Sequence, residues 1–256
     1  MYDKQAQRKE GLKPVSNTPP DTFINNLKFQ ARLLLDFQTN TVYRHLQEYL
    51  PKMKGKVVDI GCGQSPYKHL LNSYKTQYYG LDIEDAAKNF DYDNSQIIHF
   101  DGQHIPLADS SMDCFVCTEV LEHVKEPEKF IAEIYRVLKI GGLGIVTVPW
   151  SARYHYIPYD YYRFTPSALT ILFQDFSSIK VISRGTDITV IVSKIIVAYF
   201  RGLSSPKRIL LWLLKIILSL AIFPFLILCI VIGHISLALS LGSKDDPLGY
   251  TIWLHK

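Results

Sequence analysis

Apolar positions along this chain recur first at helical spacing and then in short β-branched runs. Between Thr22 and Leu50, residues Phe23, Leu27, Leu34, Phe37, Val42, Leu46 and Leu50 fall near a helical repeat, predicting one or two helices that Pro51 ends. The runs Val57–Ile60, Tyr78–Ile83, Ile97–Phe100, Asp113–Thr118, Leu143–Val148, Ile179–Ser183 and Gly249–His255 read as strands. Pro127–Lys139 shows an apolar face of Phe130, Ile131, Ile134, Val137 and Leu138, with Gly141-Gly142 expected to stop it. Ser65-Pro66 and Thr165-Pro166 each look like an N-cap followed by proline at the first helical position, so a helix is expected over Gln64–Ser73 and another after Thr165. Strands alternating with helices predict an α/β protein with a doubly wound sheet.

One stretch breaks this rhythm. From Ile209 to Leu241 only Lys215 is charged, far more apolar chain than a connection between two strands requires. Pro224 divides the run into two arms, each slightly short of the roughly 20 residues that cross a bilayer. The pattern predicts a re-entrant or in-plane hairpin, with Arg201, Lys207 and Arg208 before it and Lys244 after it on the cytosolic side. A single crossing would separate Gly249–Lys256 from its own sheet. Upstream, Ile188–Phe200 reads as an amphipathic helix at the interface.

With 256 residues, 48% hydrophobic and 20% charged, the chain can bury one α/β core and carry an appendage. The net charge of +4 is mild and lacks a dense basic cluster, so nucleic acid is not an expected partner. Cys62, Cys114, Cys117 and Cys229 have no zinc-site spacing, and reduced thiols are expected; no metal site is legible. Residues 1–20 are polar and aperiodic and read as a mobile arm without the apolar core of a signal peptide, placing the catalytic part on the cytoplasmic side.

The chemistry begins at Val57–Gly63, Val-Val-Asp-Ile-Gly-Cys-Gly, a buried strand turning through Gly61 and Gly63 toward a ligand. A dinucleotide fingerprint would place a third glycine where Pro66 stands, and Asp59 suits an ammonium-bearing ligand better than phosphates, so a nicotinamide cofactor is disfavoured. Asp82, about twenty residues beyond Gly63 at a strand end, is placed to accept from both ribose hydroxyls. Asp101, with the Gly102 and Gln103 amides, follows the next strand at the same edge.

Asp59-Ile60-Gly61-Cys62-Gly63 resembles the first cofactor motif of the class I S-adenosylmethionine-dependent methyltransferases, type 11 group, and the resemblance extends over 55–185 and the last strand. It implies a Rossmann-like, mainly parallel seven-stranded sheet with an antiparallel last strand, and S-adenosylmethionine as cofactor. It also implies that Asp101 and Gly102 serve the adenine, that Glu119 lines the cofactor pocket, and that the Glu122-His123 pair faces the transfer site. His123 has the ordinary pKa for taking a proton near neutrality and is the first base candidate, with His155 the second.

The run His155–Phe164 is too aromatic and too polar for an ordinary connector. It falls where an acceptor would sit, so Tyr159, Tyr162 and Arg163 are substrate-binding candidates, the alternative being a packed lid in which Arg163 pairs with Asp160. The expected organisation is an arm over 1–20, a cofactor-binding methyltransferase domain over 21–186 and 247–256, and a membrane-associated helical insertion over 187–246. The expected activity is methyl transfer, to oxygen, of a lipid, quinone or lipid-linked glycan at the bilayer. The rival is a catalytically silent, membrane-tethered module of the same fold that binds the cofactor or a partner.

Overall fold

The computed structural model describes residues 17–84, 97–203 and 209–256. Two helices come first, α1 (Phe23–Leu35) and α2 (Phe37–Tyr49), capped by the side chains of Thr22 and Asp36. Then follow β1 (Gly55–Ile60), β2 (Thr76–Ile83), β3 (Ile97–Phe100), β4 (Met112–Thr118), α3 (Pro127–Val137), β5 (Leu138–Pro149), α4 (Pro166–Leu172) and β6 (Ser178–Arg184). The chain ends with α5 (Asp187–Leu203), α6 (Ile209–Leu239) and β7 (Gly249–His255).

The strands form one seven-stranded sheet in the order β3-β2-β1-β4-β5-β7-β6. The pairs from β3 through β5 are parallel, and β7 runs antiparallel to both its neighbours. Alternation along β1 sorts the two cores: Val58 and Ile60 join Phe115, Phe130 and Ile134 on the α3 side, while Val57 joins Leu46, Leu50, Met53 and Tyr67 on the α2 side. Phe115 lies opposite Gly144 in the register, and a β-carbon on that glycine would collide with the ring.

Three expectations about local structure change. Gln64–Ser73 is not an α-helix. Ser65 takes a positive φ of 56° instead of capping geometry, and a single 3-10 turn at Lys68–Leu70 leads through Asn72 into β2. The surface left open there is covered by α2 with Tyr67 and Leu71. Helix α3 ends at Val137, because Leu138 is already extended, and Gly141-Gly142 lies inside the long strand β5 rather than at a helix stop. Pro224 does not divide the apolar run: α6 continues through it as one helix. The chain reverses instead between α5 and α6, which pack together through Val190, Val192, Ile196, Leu226 and Cys229.

This helix pair is rooted in the domain at both ends. Arg184 and Gly249 are partners across β6 and β7, so the appendage leaves and returns at one place. Asp187 clamps that place, its carboxylate accepting from the Ser243 amide at 3.0 Å, and Thr186 and Ser236 pair their hydroxyls at 2.8 Å. The buried residues Leu226, Cys229 and Ser236 trace a single stripe along α6. Ile217, Leu220, Phe223, Phe225, Leu228, Val231, Ile232, Ile235 and Leu239 are exposed on its other sides. Of the polar arm expected over 1–20, residues 1–16 lie outside the described residues.

Candidate active site

The sheet order reverses between β1 and β4, and a cavity of about 620 Å³ opens at their carboxyl ends, within the usual size range of ligand pockets. Its floor is the glycine turn. The Gly61 and Cys62 amides both donate to the Leu81 carbonyl, at 2.7 and 3.1 Å, pinning the turn onto β2. Gly61 has φ +71°, and a β-carbon there would strike Val120. Gly63, at φ +52°, has no atom of the described residues beyond its chain neighbours within 4 Å of where a β-carbon would stand, so its backbone is open to a ligand.

Asp82 is buried beside this turn. Its Oδ2 accepts from the Gly63 amide and its Oδ1 from the Ile83 amide, both at 2.8 Å, which fixes a carboxylate at the cavity wall. Asp101 and Gly102 line the wall beyond it. The Asp101 carboxylate accepts from the Gln103 and His104 amides and from His104 Nδ1, and these bonds hold its pKa down at about 2. The Gln103 amide, expected to address a ligand ring, therefore already has Asp101 as its acceptor.

Glu119 follows β4 with φ +53°, its amide bonded to the Thr147 carbonyl at 2.9 Å. This unusual backbone swings the side chain to the cavity wall, where Gln38 Nε2 donates to Oε2 at 3.2 Å and Arg184 Nη2 to Oε1 at 2.7 Å. Arg184 is fully buried, and its guanidinium also reaches the Val148 carbonyl and Thr41 Oγ1. It occupies the space above Gly249 that a β-carbon would fill. No pattern in the sequence pointed to Arg184, whose role depends on the β6–β7 register.

At the other end of the cavity His123, His155, Tyr156, Tyr159 and Tyr161 converge. His123 Nδ1 lies 2.9 Å from the Tyr159 carbonyl, and burial lowers its pKa to about 4, so the ring is neutral near neutrality with Nε2 as acceptor. The His123 and His155 rings meet edge to face with centroids 5.0 Å apart. Glu122, beside His123, is fully buried, and burial together with the Glu119 charge raises its pKa well above the carboxylate range.

Three candidates stand elsewhere. Asp59 does not line the cavity: on β1 it points to the α2 side, where its Oδ2 accepts from the Tyr78 hydroxyl at 2.8 Å. Arg163 is turned away from the cavity by a two-pronged ion pair with Asp160, at 2.6 and 2.8 Å, as in the packed-lid alternative. Tyr162 also lies outside the wall, its hydroxyl donating to the Lys125 carbonyl at 3.0 Å.

Residues 58–146 match the family profile described as a methyltransferase domain, of the type 11 group. A probable S-adenosylmethionine-dependent methyltransferase of Mycolicibacterium smegmatis is 31% identical over 36% of this chain and 37% of its own length. A demethylmenaquinone methyltransferase of Staphylococcus epidermidis is 28% identical over 44% of this chain and 51% of its own. The chain thus spans between about a third and about half of the length of these curated relatives. In fold, it is similar to a SAM-dependent methyltransferase from Archaeoglobus fulgidus with a TM-score of 0.54 at 17% identity, covering 90% of this chain and 99% of that one. The open glycine turn and the fixed Asp82 carboxylate fit a cofactor that has a ribose and a close backbone contact, and over residues 58–146 the chain is similar to the S-adenosylmethionine-dependent methyltransferase domains of the matched family.

Proposed function

We propose that the chain methylates an oxygen of a lipid-like acceptor, of the quinone kind or a lipid-linked glycan, presented from a bilayer on the cytosolic face. The observation that carries this reading is a physical link between the apolar helix and the cavity. The Phe37 ring packs where α6 narrows to Gly233, and the next residue, Gln38, donates to Glu119 in the cavity wall. A helix whose exposed sides are almost wholly apolar is thereby fixed beside a methyltransferase pocket. Such a surface is unfavourable in water and stable against hydrocarbon.

S-adenosylmethionine supplies an electrophilic methyl group on a sulfonium. The chain's residues then have to orient an acceptor oxygen in line, exclude water and take its proton. In this reading Asp82 and Glu119 hold the cofactor, while Tyr156, Tyr159 and Tyr161 enclose the acceptor. Neutral His123, its ring set by the Tyr159 carbonyl, takes the hydroxyl proton on Nε2, with His155 packed on its edge. The relative named a demethylmenaquinone methyltransferase makes an isoprenoid quinone in its reduced, quinol form, which carries ring hydroxyls, the first acceptor to try.

The test is transfer of labelled methyl from S-adenosylmethionine to an oxygen of chemically reduced demethylmenaquinone, the quinol, in mixed micelles by the detergent-purified chain, alongside calorimetric titration of the cofactor. Micromolar binding with labelled lipid product that falls at least a hundredfold in His123→Ala supports the reading. Binding without transfer to any fraction of a total lipid extract favours a silent tethered module. Absence of cofactor binding by folded protein overturns the proposal.

A further inference from the structure

Glu122, His123 and His155 do more in the cavity wall than an acid and two base candidates require. They come from the turn after β4 and the loop after β5, and each offers one ligating atom, all within 4.8 Å of one another. Glu122 is fully buried, and among the described residues neither of its carboxylate oxygens has a hydrogen-bond donor. Its main chain is anchored, the backbone carbonyl accepting from the Tyr161 and Tyr162 amides at 2.8 and 3.3 Å. A carboxylate kept there without a partner is costly unless a proton or a cation neutralises it.

Both imidazoles are set for a cation by what their other nitrogen touches. His123 Nδ1 faces the Tyr159 carbonyl at 2.9 Å, and a carbonyl only accepts, so Nδ1 bears the hydrogen and Nε2 keeps its lone pair. His155 Nδ1 faces two acceptors, the Arg153 carbonyl at 2.9 Å and the Asp160 carboxylate at 3.1 Å, with the same result. Asp160 is held in turn by the Arg163 fork. Histidines whose outer nitrogen is anchored to a carbonyl or carboxylate are the arrangement found behind metal ligands. His123 Nε2 lies 3.6 Å from Glu122 Oε1, too long for a hydrogen bond and suited to two ligands of one ion.

We propose that Glu122, His123 and His155 bind one divalent transition-metal cation, of the Zn²⁺ or Co²⁺ kind, with the remaining coordination positions open to the cavity. Two imidazole nitrogens and one carboxylate favour such borderline ions over Mg²⁺ or Ca²⁺, which prefer oxygen ligands alone. With the ion bound, His123 Nε2 is a ligand and no longer a base, so an acceptor hydroxyl at an open position would be acidified by the ion instead; binding of the ion itself goes beyond methyl transfer and does not depend on it.

The chelator-stripped full chain in detergent is titrated with Co²⁺ and followed by visible absorption, with Zn²⁺ and Mg²⁺ as competitors. One Co²⁺ per chain, displaced by Zn²⁺ and not by Mg²⁺, is the expected result. Glu122→Gln and His155→Ala should each weaken binding at least tenfold, while His69→Ala, which removes a histidine bonded to Tyr43 outside the cavity, leaves it unchanged. X-ray absorption at the metal edge of the wild-type chain gives a reading free of any variant's folding, and nitrogen and oxygen ligands including two imidazoles are expected. Failure of folded wild-type protein to bind Co²⁺, a sulfur ligand in that spectrum, or full affinity in both folded variants overturns the proposal and leaves Glu122 as a buried protonated acid. S-adenosylmethionine titration of the same samples reports separately on the methyltransferase reading.

Discussion

Arg184 Nη2 lies 2.7 Å from Glu119 Oε1, joining the last residue of β6 to the wall of the cavity at the carboxyl ends of β1 and β4. Because the guanidinium is wholly buried and also serves Val148 and Thr41, removing it strands several acceptors at once. Arg184→Met should destabilise the domain by roughly 3–5 kcal/mol and weaken cofactor binding, as expected when one partner of a buried ion pair is lost. Arg184→Lys should not restore it, since a single ammonium cannot reach three acceptors in a fork. Gly249→Ala should imitate the loss by displacing the guanidinium. Urea unfolding and calorimetric titration check all three, and a stable Arg184→Met with native affinity would refute the assignment.

Asp82 and Gly63 make a second pair, joined at 2.8 Å, and the two can be separated by substitution. Asp82→Ala should abolish detectable S-adenosylmethionine binding, a loss of about a hundredfold or more, because hydrogen bonds to a charged group contribute roughly 1.5–3 kcal/mol each. Gly63→Ala adds a β-carbon that meets nothing among the described residues beyond its chain neighbours, so its melting temperature should fall only slightly while cofactor affinity drops. Gly61→Ala should lose stability as well, because Val120 must move. Equal melting temperatures for the two glycine variants would contradict this division.

Much of this was legible in the sequence, and the failures have physical causes. The boundaries of β3 and β7, and the cavity positions of Gly61, Gly63, Asp82, Asp101, Gly102, Glu119, His123 and His155, follow from hydrophobic runs ending in turns at one sheet edge. Asp59 stands off the cavity because alternation with Val58 and Ile60 along β1 places it on the α2 face, which a motif read as a linear string does not show. The Gln64–Ser73 helix failed because capping residues are permissive, and the positive φ at Ser65 is a tertiary outcome. Arg184 and the grouping of Glu122 with His155 depend on strand register and on loops meeting in space, which no local window contains.

Asp59 gives the fold a pH dependence. Burial pushes its pKa up to about 7, against an ordinary carboxylate value near 4, although the Tyr78 hydroxyl favours the ionised form. Between those two values the unfolded chain has released this proton and the folded chain keeps it. The Asp59 contribution is therefore fully present below about pH 4 and is lost as pH rises toward 7. Asp59→Asn removes the titration and should flatten that part of the profile. Thermal unfolding at pH 5 and pH 8 checks it: the gain of the asparagine variant over wild type should be larger at pH 8, and a gain that is the same at both pH values would sink the argument.

The stripe on α6 makes the membrane reading testable by two opposite substitutions. Leu226 and Cys229 are buried against α5 and Phe37, whereas Leu228 and Ile232 are exposed on the same helix. If the exposed side faces hydrocarbon, Leu228→Lys with Ile232→Lys should lower flotation with lipid vesicles at least tenfold while leaving the domain's unfolding midpoint unchanged. A lysine near the centre of a bilayer costs about 2.5–3.5 kcal/mol, and one in water costs almost nothing. Leu226→Ala should do the reverse, lowering stability by about 2–5 kcal/mol through a cavity at the helix base while flotation persists. Flotation of the double-lysine variant at the wild-type level would mean that α6 does not meet lipid through this face. The proposed delivery of an acceptor from the bilayer to the cavity beside Phe37 and Gln38 would then lose its support.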